Sequence, residues 1–143
     1  MNIIEFFNKS YSLKGEVLLN GEKKNKFCLT IVQTDGSRKA TKTVQFYLSL
    51  TEGQVLFQDF VSGSFWTDDR RYPEGKFRRT KSSGEYRDFL VTREGMFSII
   101  NGKENVLRFN LDPFQMAELG TAMIEYLRLK RLAWALSAAQ NKG

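Results

Sequence analysis

The chain has 143 residues, 41% of them hydrophobic and 27% charged, a balance that supports one globular domain and excludes a disordered chain. Its 22 basic and 16 acidic residues give a net charge of +6 without a single histidine, which removes the usual acid–base group near neutral pH and the commonest metal ligand. Cys28 is the only cysteine, so neither an internal disulfide nor a cysteine cluster for a metal can form.

Residues 1–9 are short and apolar, with Ile3, Ile4, Phe6 and Phe7, and fit a helical turn, an edge strand or a docking arm. Tyr11 to Leu19 reads as a strand bounded by the turn dipeptide Asn20-Gly21. Lys26 to Gln33 alternates Phe27, Leu29 and Ile31, and Asp35-Gly36 turns the chain. Lys42 to Leu50 alternates Val44, Phe46, Leu48 and Leu50 on one face. Thr51-Glu-Gly-Gln54 fits a capping box opening a helix over 52–62, with Gly63 as its terminator.

The second half follows the same scheme. Lys76 to Arg79, Tyr86 to Thr92, Met96 to Ile100 and Asn105 to Leu111 read as strands, with turns at Arg93-Glu-Gly95 and Asn101-Gly102. Asp112-Pro113 starts a helix that the stripe Met116, Leu119, Met123, Leu127 and Trp134 carries to about residue 137. Phe46 to Val55 aligns with Leu107 to Met116 at an offset of 61, and Lys14 to Val17 with Glu74 to Phe77 at 60. The expected fold is α+β: two repeats of antiparallel strands, each followed by a helix, over about 10–64 and 70–137 of a single domain.

No phosphate-binding glycine loop, nucleophile elbow or metal-ligand spacing is present, and Asp68-Asp69 read as solvated turn carboxylates. Neither an enzyme nor a cofactor is expected. No stretch approaches the ~20 apolar residues of a membrane span, and Met1 to Phe7 lacks the features of a secretion signal. The expectation is a cytoplasmic protein.

Charge is concentrated in hairpins. Residues 70–81 carry six basic groups against one acid, and residues 21–42 carry six against two. Aromatics interleave them: Trp66, Tyr72, Phe77 and Tyr86 around the first, and Phe27 within the second, where the alternation of Phe27 and Phe77 also fits the core. Cations that neutralise phosphates beside rings that stack on any base make up a single-strand binding surface. The candidate contacts are Lys14, Lys24, Lys26, Lys39 and Lys42 in the first half. In the second they are Trp66, Arg70, Arg71, Tyr72, Lys76, Arg78, Arg79, Lys81, Tyr86 and Arg87. Neither helix has a basic N-terminal recognition face, which favours single strands, DNA or RNA, over duplex.

Lys14-Gly15, set against a Lys-Gly-Lys-Ala-Ala-Leu motif, and Phe46-Tyr-Leu-Ser-Leu-Thr-Glu52, set against Phe-Ser-Leu-Ser-Val-Thr-Glu, resemble the Whirly family of single-stranded-DNA-binding proteins. The strand–helix junction from Val106 to Leu127 is similar to that family's closing element. Lys14-Gly15 continues as Glu16-Val17-Leu18-Leu19, without the second basic residue and the small pair. The resemblance implies two crossing antiparallel sheets with helices and sequence-tolerant binding of single strands. The rivals are an OB-type barrel with a C-terminal helix and a protein–protein adaptor with incidental charge. The far half of the last helix carries Leu127, Leu132, Trp134 and Leu136 on more than one face, which points to self-association, with the N-terminal segment as the alternative cover.

Overall fold

The computed structural model describes residues 3–19, 25–37, 39–83, 85–102 and 105–140. Strands β1 (Ile3–Phe7), β2 (Tyr11–Leu18), β3 (Lys26–Thr34) and β4 (Ala40–Ser49) form an antiparallel sheet in sequential order, followed by helix α1 (Leu50–Ser62). A one-turn helix α2 (Ser64–Thr67) and a 3₁₀ turn at Pro73–Gly75 lead into the second half. There β5 (Lys76–Ser83), β6 (Glu85–Thr92), β7 (Met96–Asn101) and β8 (Asn105–Asn110) form a second sequential antiparallel sheet, followed by helix α3 (Pro113–Gln140). The fold is therefore α+β, two four-stranded sheets each closed by a helix, and not a barrel. Of the three readings of the N-terminal segment, the edge strand is the one formed. It starts the first sheet before residue 10. The Asn20-Gly21 turn lies outside the described residues.

Alternation sets the faces. In the first sheet Phe6, Leu13, Val17, Phe27, Leu29, Ile31, Val44, Phe46 and Leu48 are buried on the inner side. In the second, Phe77, Phe89, Val91, Phe97, Ile99, Leu107 and Phe109 are buried likewise. The two inner faces meet: β4 packs against β6, β7 and β8, and Phe46 stacks on Phe89 with ring centroids 5.2 Å apart. Phe60 of α1 reaches Phe97 edge-on at 6.0 Å. Helix α3 packs along α1 and over β2, burying Met116, Leu119, Met123 and Leu127. The apolar residues of both halves form one continuous core.

Helix α1 starts two residues earlier than expected. Ser49, not Thr51, is the N-cap: its Oγ accepts from the Glu52 N–H and donates to Glu52 Oε1, both at 3.2 Å. Ser49-Leu-Thr-Glu52 is the stronger box because glutamate answers the serine, and this start turns Gly53, Leu56, Phe57 and Phe60 inward together. A side chain at Gly53 would put its Cβ 2.1 Å from the Phe27 ring, so helix and sheet meet this closely only with glycine. Gly63 ends the helix at a φ of 88°, as expected. The reciprocal cap at Asp112 and Gln115 forms at 2.7 and 3.0 Å.

The repeat holds by element order but not by one offset. The last strands end at Ser49 and Asn110, 61 residues apart, whereas the caps at Ser49 and Asp112 fall two residues out of that register. The upstream alignment fails. Lys14 to Val17 lies within β2, the second strand of its sheet, while Glu74 to Phe77 leads into β5, the first strand of the other. Lys14-Gly15 thus sits in mid-strand, with Gly15 beneath Leu119 and Met123 of α3. No helix among the described residues is long and apolar enough to cross a membrane.

Candidate nucleic-acid interface

The basic segment 70–81 does not form a single patch. Arg71 binds both Asp59 oxygens through Nη1, at 2.9 and 2.7 Å, and the Tyr72 hydroxyl donates to Asp59 Oδ2 at 2.5 Å. Tyr72 is only 2% exposed, and burial pushes its phenol far above the ordinary tyrosine range. It anchors the turn to α1 and is removed from the candidate stacking surface. Trp66 is half-buried against Phe60 and Phe65, and its indole N–H donates to the Arg93 carbonyl at 3.0 Å. Asp68 accepts from the backbone N–H groups of Arg70 and Arg71, and Asp69 pairs with Arg93 at 2.8 Å.

Strand alternation divides the rest. Arg78 and Thr80 face outward, where both contact the buried Asp88, Arg78 pairing with it at 3.1 Å. Lys76 pairs with Glu74 at 3.0 Å. Arg79 lies over the Phe77 ring and is bound to Glu52 at the start of α1, whose carboxyl that hydrogen bond holds below the usual range. These cations hold the fold together. Arg70 is exposed and makes no ion pair among the described residues.

A different group of basic residues converges where the edge strand β4 meets the β5–β6 hairpin. Lys81 reaches across to donate to the Tyr47 carbonyl at 2.8 Å, its ammonium 5.2 Å from the Phe46 ring centroid. Arg87 stands directly opposite Lys81 in the β5–β6 register and is close enough to Tyr47 to act on its phenol. Lys26, paired with Ser49 across β3 and β4, adds its charge at the same place. Burial, and then the Lys26 charge, push the Lys81 ammonium below the ordinary lysine range. Lys26, Lys81 and Arg87 have no carboxylate partner among the described residues, whereas Lys14 is 3.9 Å from Glu16.

Tyr47 supplies the aromatic component that the sequence reading passed over. It alternates with the buried Phe46 and Leu48, so its ring lies on the outer face of the first sheet. There its hydroxyl donates to Gln45 Oε1 at 3.2 Å, and Gln45 Nε2 lies 3.4 Å from Thr30 Oγ1. The same rows bring Lys14, Gln45 and Thr30 side by side in register across β2, β3 and β4. Tyr86 is 45% exposed on the outer face of the second sheet. Lys39 and Lys42 lie exposed at the far end of the first sheet, and Lys24 falls outside the described residues.

The basic candidates other than Lys14, Lys24 and Arg70 thus separate into three sets. Lys26, Lys81 and Arg87 come together, Lys39 and Lys42 form a second locus, and Lys76, Arg71, Arg78 and Arg79 are engaged within the fold. Among the described residues no cluster of three or more His, Cys, Asp or Glu side chains is placed to hold a metal. No family model matches the chain, and neither does any curated protein or solved structure.

Proposed function

We propose that the chain binds single-stranded nucleic acid without reading its sequence, as a Whirly-like protein of the two-sheet type. The observation that carries this reading is the convergence of Lys26, Lys81 and Arg87 around Tyr47, three cations crowded together with no ion pair among the described residues and only the Glu52 charge, itself bound to Arg79, acting on Lys81. Like charges brought this close repel one another, and a phosphodiester backbone relieves the repulsion. The half-buried Tyr47 ring beside them offers a face that stacks on any base. The succession of four strands and a helix, twice, is the arrangement that the family resemblance implies. A strand-edge site of this kind suits a flexible single strand, because neither helix presents a cationic N-terminal face to a duplex groove.

The test is fluorescence anisotropy against single-stranded DNA, single-stranded RNA and duplex of one length. Tighter binding to single strands is expected, with log affinity falling against log salt by roughly 0.7 per phosphate neutralised. Equal or tighter binding of duplex overturns the reading. Failure to bind at low salt favours the adaptor instead.

A pH dependence follows from Lys81. Its pKa in the free protein is depressed, and a bound phosphate raises it, so the complex holds more protons over the interval between the two values. Affinity is therefore full below the depressed value and declines as pH rises through it, on the acid side of the ordinary lysine pKa of about 10.4. Calorimetry in buffers of different ionisation heat should register proton uptake on binding in that interval. Its absence would remove Lys81 from the contact.

A further inference from the structure

We propose a second contact for the same strand, a nucleobase site in the groove where β1 turns into β2, and this site rests on the single-strand reading above. The groove has a volume of about 440 Å³ and is lined by Phe7, Asn8, Lys9, Tyr11, Ser12 and Thr34. Phe7 is 73% exposed although its neighbour Phe6 enters the core, because alternation turns successive side chains to opposite faces. Its ring therefore lies on the outer face of the first sheet, the face that carries Tyr47.

The groove is held in shape by its own turn. Asn8 Oδ1 accepts from the backbone N–H groups of Ser10 and Tyr11 at 3.0 and 2.8 Å, and the Thr34 N–H donates to the Ser10 carbonyl at 2.7 Å. Ser12 and Thr34 line the wall, and Ser12 is only 7% exposed. Lys9 belongs to the lining and makes no ion pair among the described residues. A ring open to solvent, polar residues in a preformed wall and the unpaired Lys9 match a base with a flanking phosphate. An acidic or purely apolar partner would use only one part of this set.

The register connects the two contacts. Phe7 pairs with Ser12, which pairs with Val32 and then Thr43, and Thr43 lies four residues before Tyr47 on β4. Phe7 and Tyr47 thus stand three strands and four residues apart, a diagonal of about 20 Å. A single strand of on the order of four to six nucleotides crosses that distance, passing the row of Lys14, Thr30 and Gln45.

Anisotropy of the full chain with oligothymidylates of about three and about twelve nucleotides separates the contacts. Phe7→Ala is expected to weaken binding of the longer oligomer about tenfold and to leave its salt slope and the shorter oligomer's affinity unchanged. Phe7→Tyr, which keeps a stacking face, should restore the loss, and thermal melting should show both variants folded. Wild-type protein that binds the longer oligomer no better than Phe7→Ala does overturns this site alone. Wild-type protein that binds neither oligomer overturns the single-strand reading on which the site rests.

Discussion

Changing Lys26 and Lys81 to Gln and Arg87 to Ala in one chain is expected to lower single-strand affinity on the order of 100-fold at low salt and to flatten the salt slope by about two. The three cations sit where the β4 edge meets the β5–β6 hairpin, and none forms an ion pair among the described residues. Their loss is expected to remove phosphate contacts and little folding energy, since Lys81 gives up one bond to a backbone carbonyl. Replacing Arg70, Arg71, Arg78 and Arg79 gives a different result. Arg71, Arg78 and Arg79 hold Asp59, Asp88 and Glu52, so that variant should melt earlier and weaken binding mainly through damage to the fold. A junction variant that binds like the wild type would place the site elsewhere.

Self-association through the far half of α3 is the second large effect expected. The helix has 28 residues, about 42 Å in length, and its last buried residue is Leu127. Beyond it Leu129, Leu132, Trp134 and Leu136 are exposed, Trp134 to 69%. The N-terminal strand does not cover them: its contact with α3 reaches Tyr126, whose hydroxyl lies 3.4 Å from the Ile3 carbonyl. A helical segment of this length is marginal in water by itself, and pairing with its counterpart in a second copy would shelter the leucine stripe. An antiparallel pairing keeps Arg128, Lys130 and Arg131 of one copy away from those of the other. Light scattering on the full chain should give a species larger than a monomer at tens of micromolar, and Leu132→Glu with Trp134→Glu should give a monomer of unchanged fold. A wild-type monomer under those conditions would end the idea.

Local patterns were legible where a single strand or a cap determined them. Alternation placed Phe27, Leu29, Ile31, Val44, Phe46 and Leu48 correctly in the core because one face of each strand is covered. Asp112-Pro113 marked the start of α3 for the same local reason. The α1 cap differs from expectation because two overlapping boxes fit the template, and the serine–glutamate one forms, bringing Gly53 against Phe27. The site was less legible, since run density is not geometry. Residues 70–81 form the densest basic run, yet alternation sends its side chains to opposite faces, where carboxylates distant in sequence take them up. Tyr72 looked polar in context and is buried because Asp59, thirteen residues earlier, provides its partner. The meeting of Lys26 with Lys81 and Arg87 depends on how one sheet lies on the other, which no local window encodes.

The stacking of Phe46 on Phe89 and the reach of Phe60 to Phe97 bear on how the chain acquires its structure. Each sheet is the other's cover, so either half made alone would leave a face of phenylalanines in water. The hairpins of a half can pair early, but the contacts that hold them join residues some forty positions apart, and loop closure must precede that gain. Folding should therefore be a single late event that commits both halves together. A chain cut in the turn near Arg70 should yield two fragments, each unstructured by itself, that regain the fold when mixed.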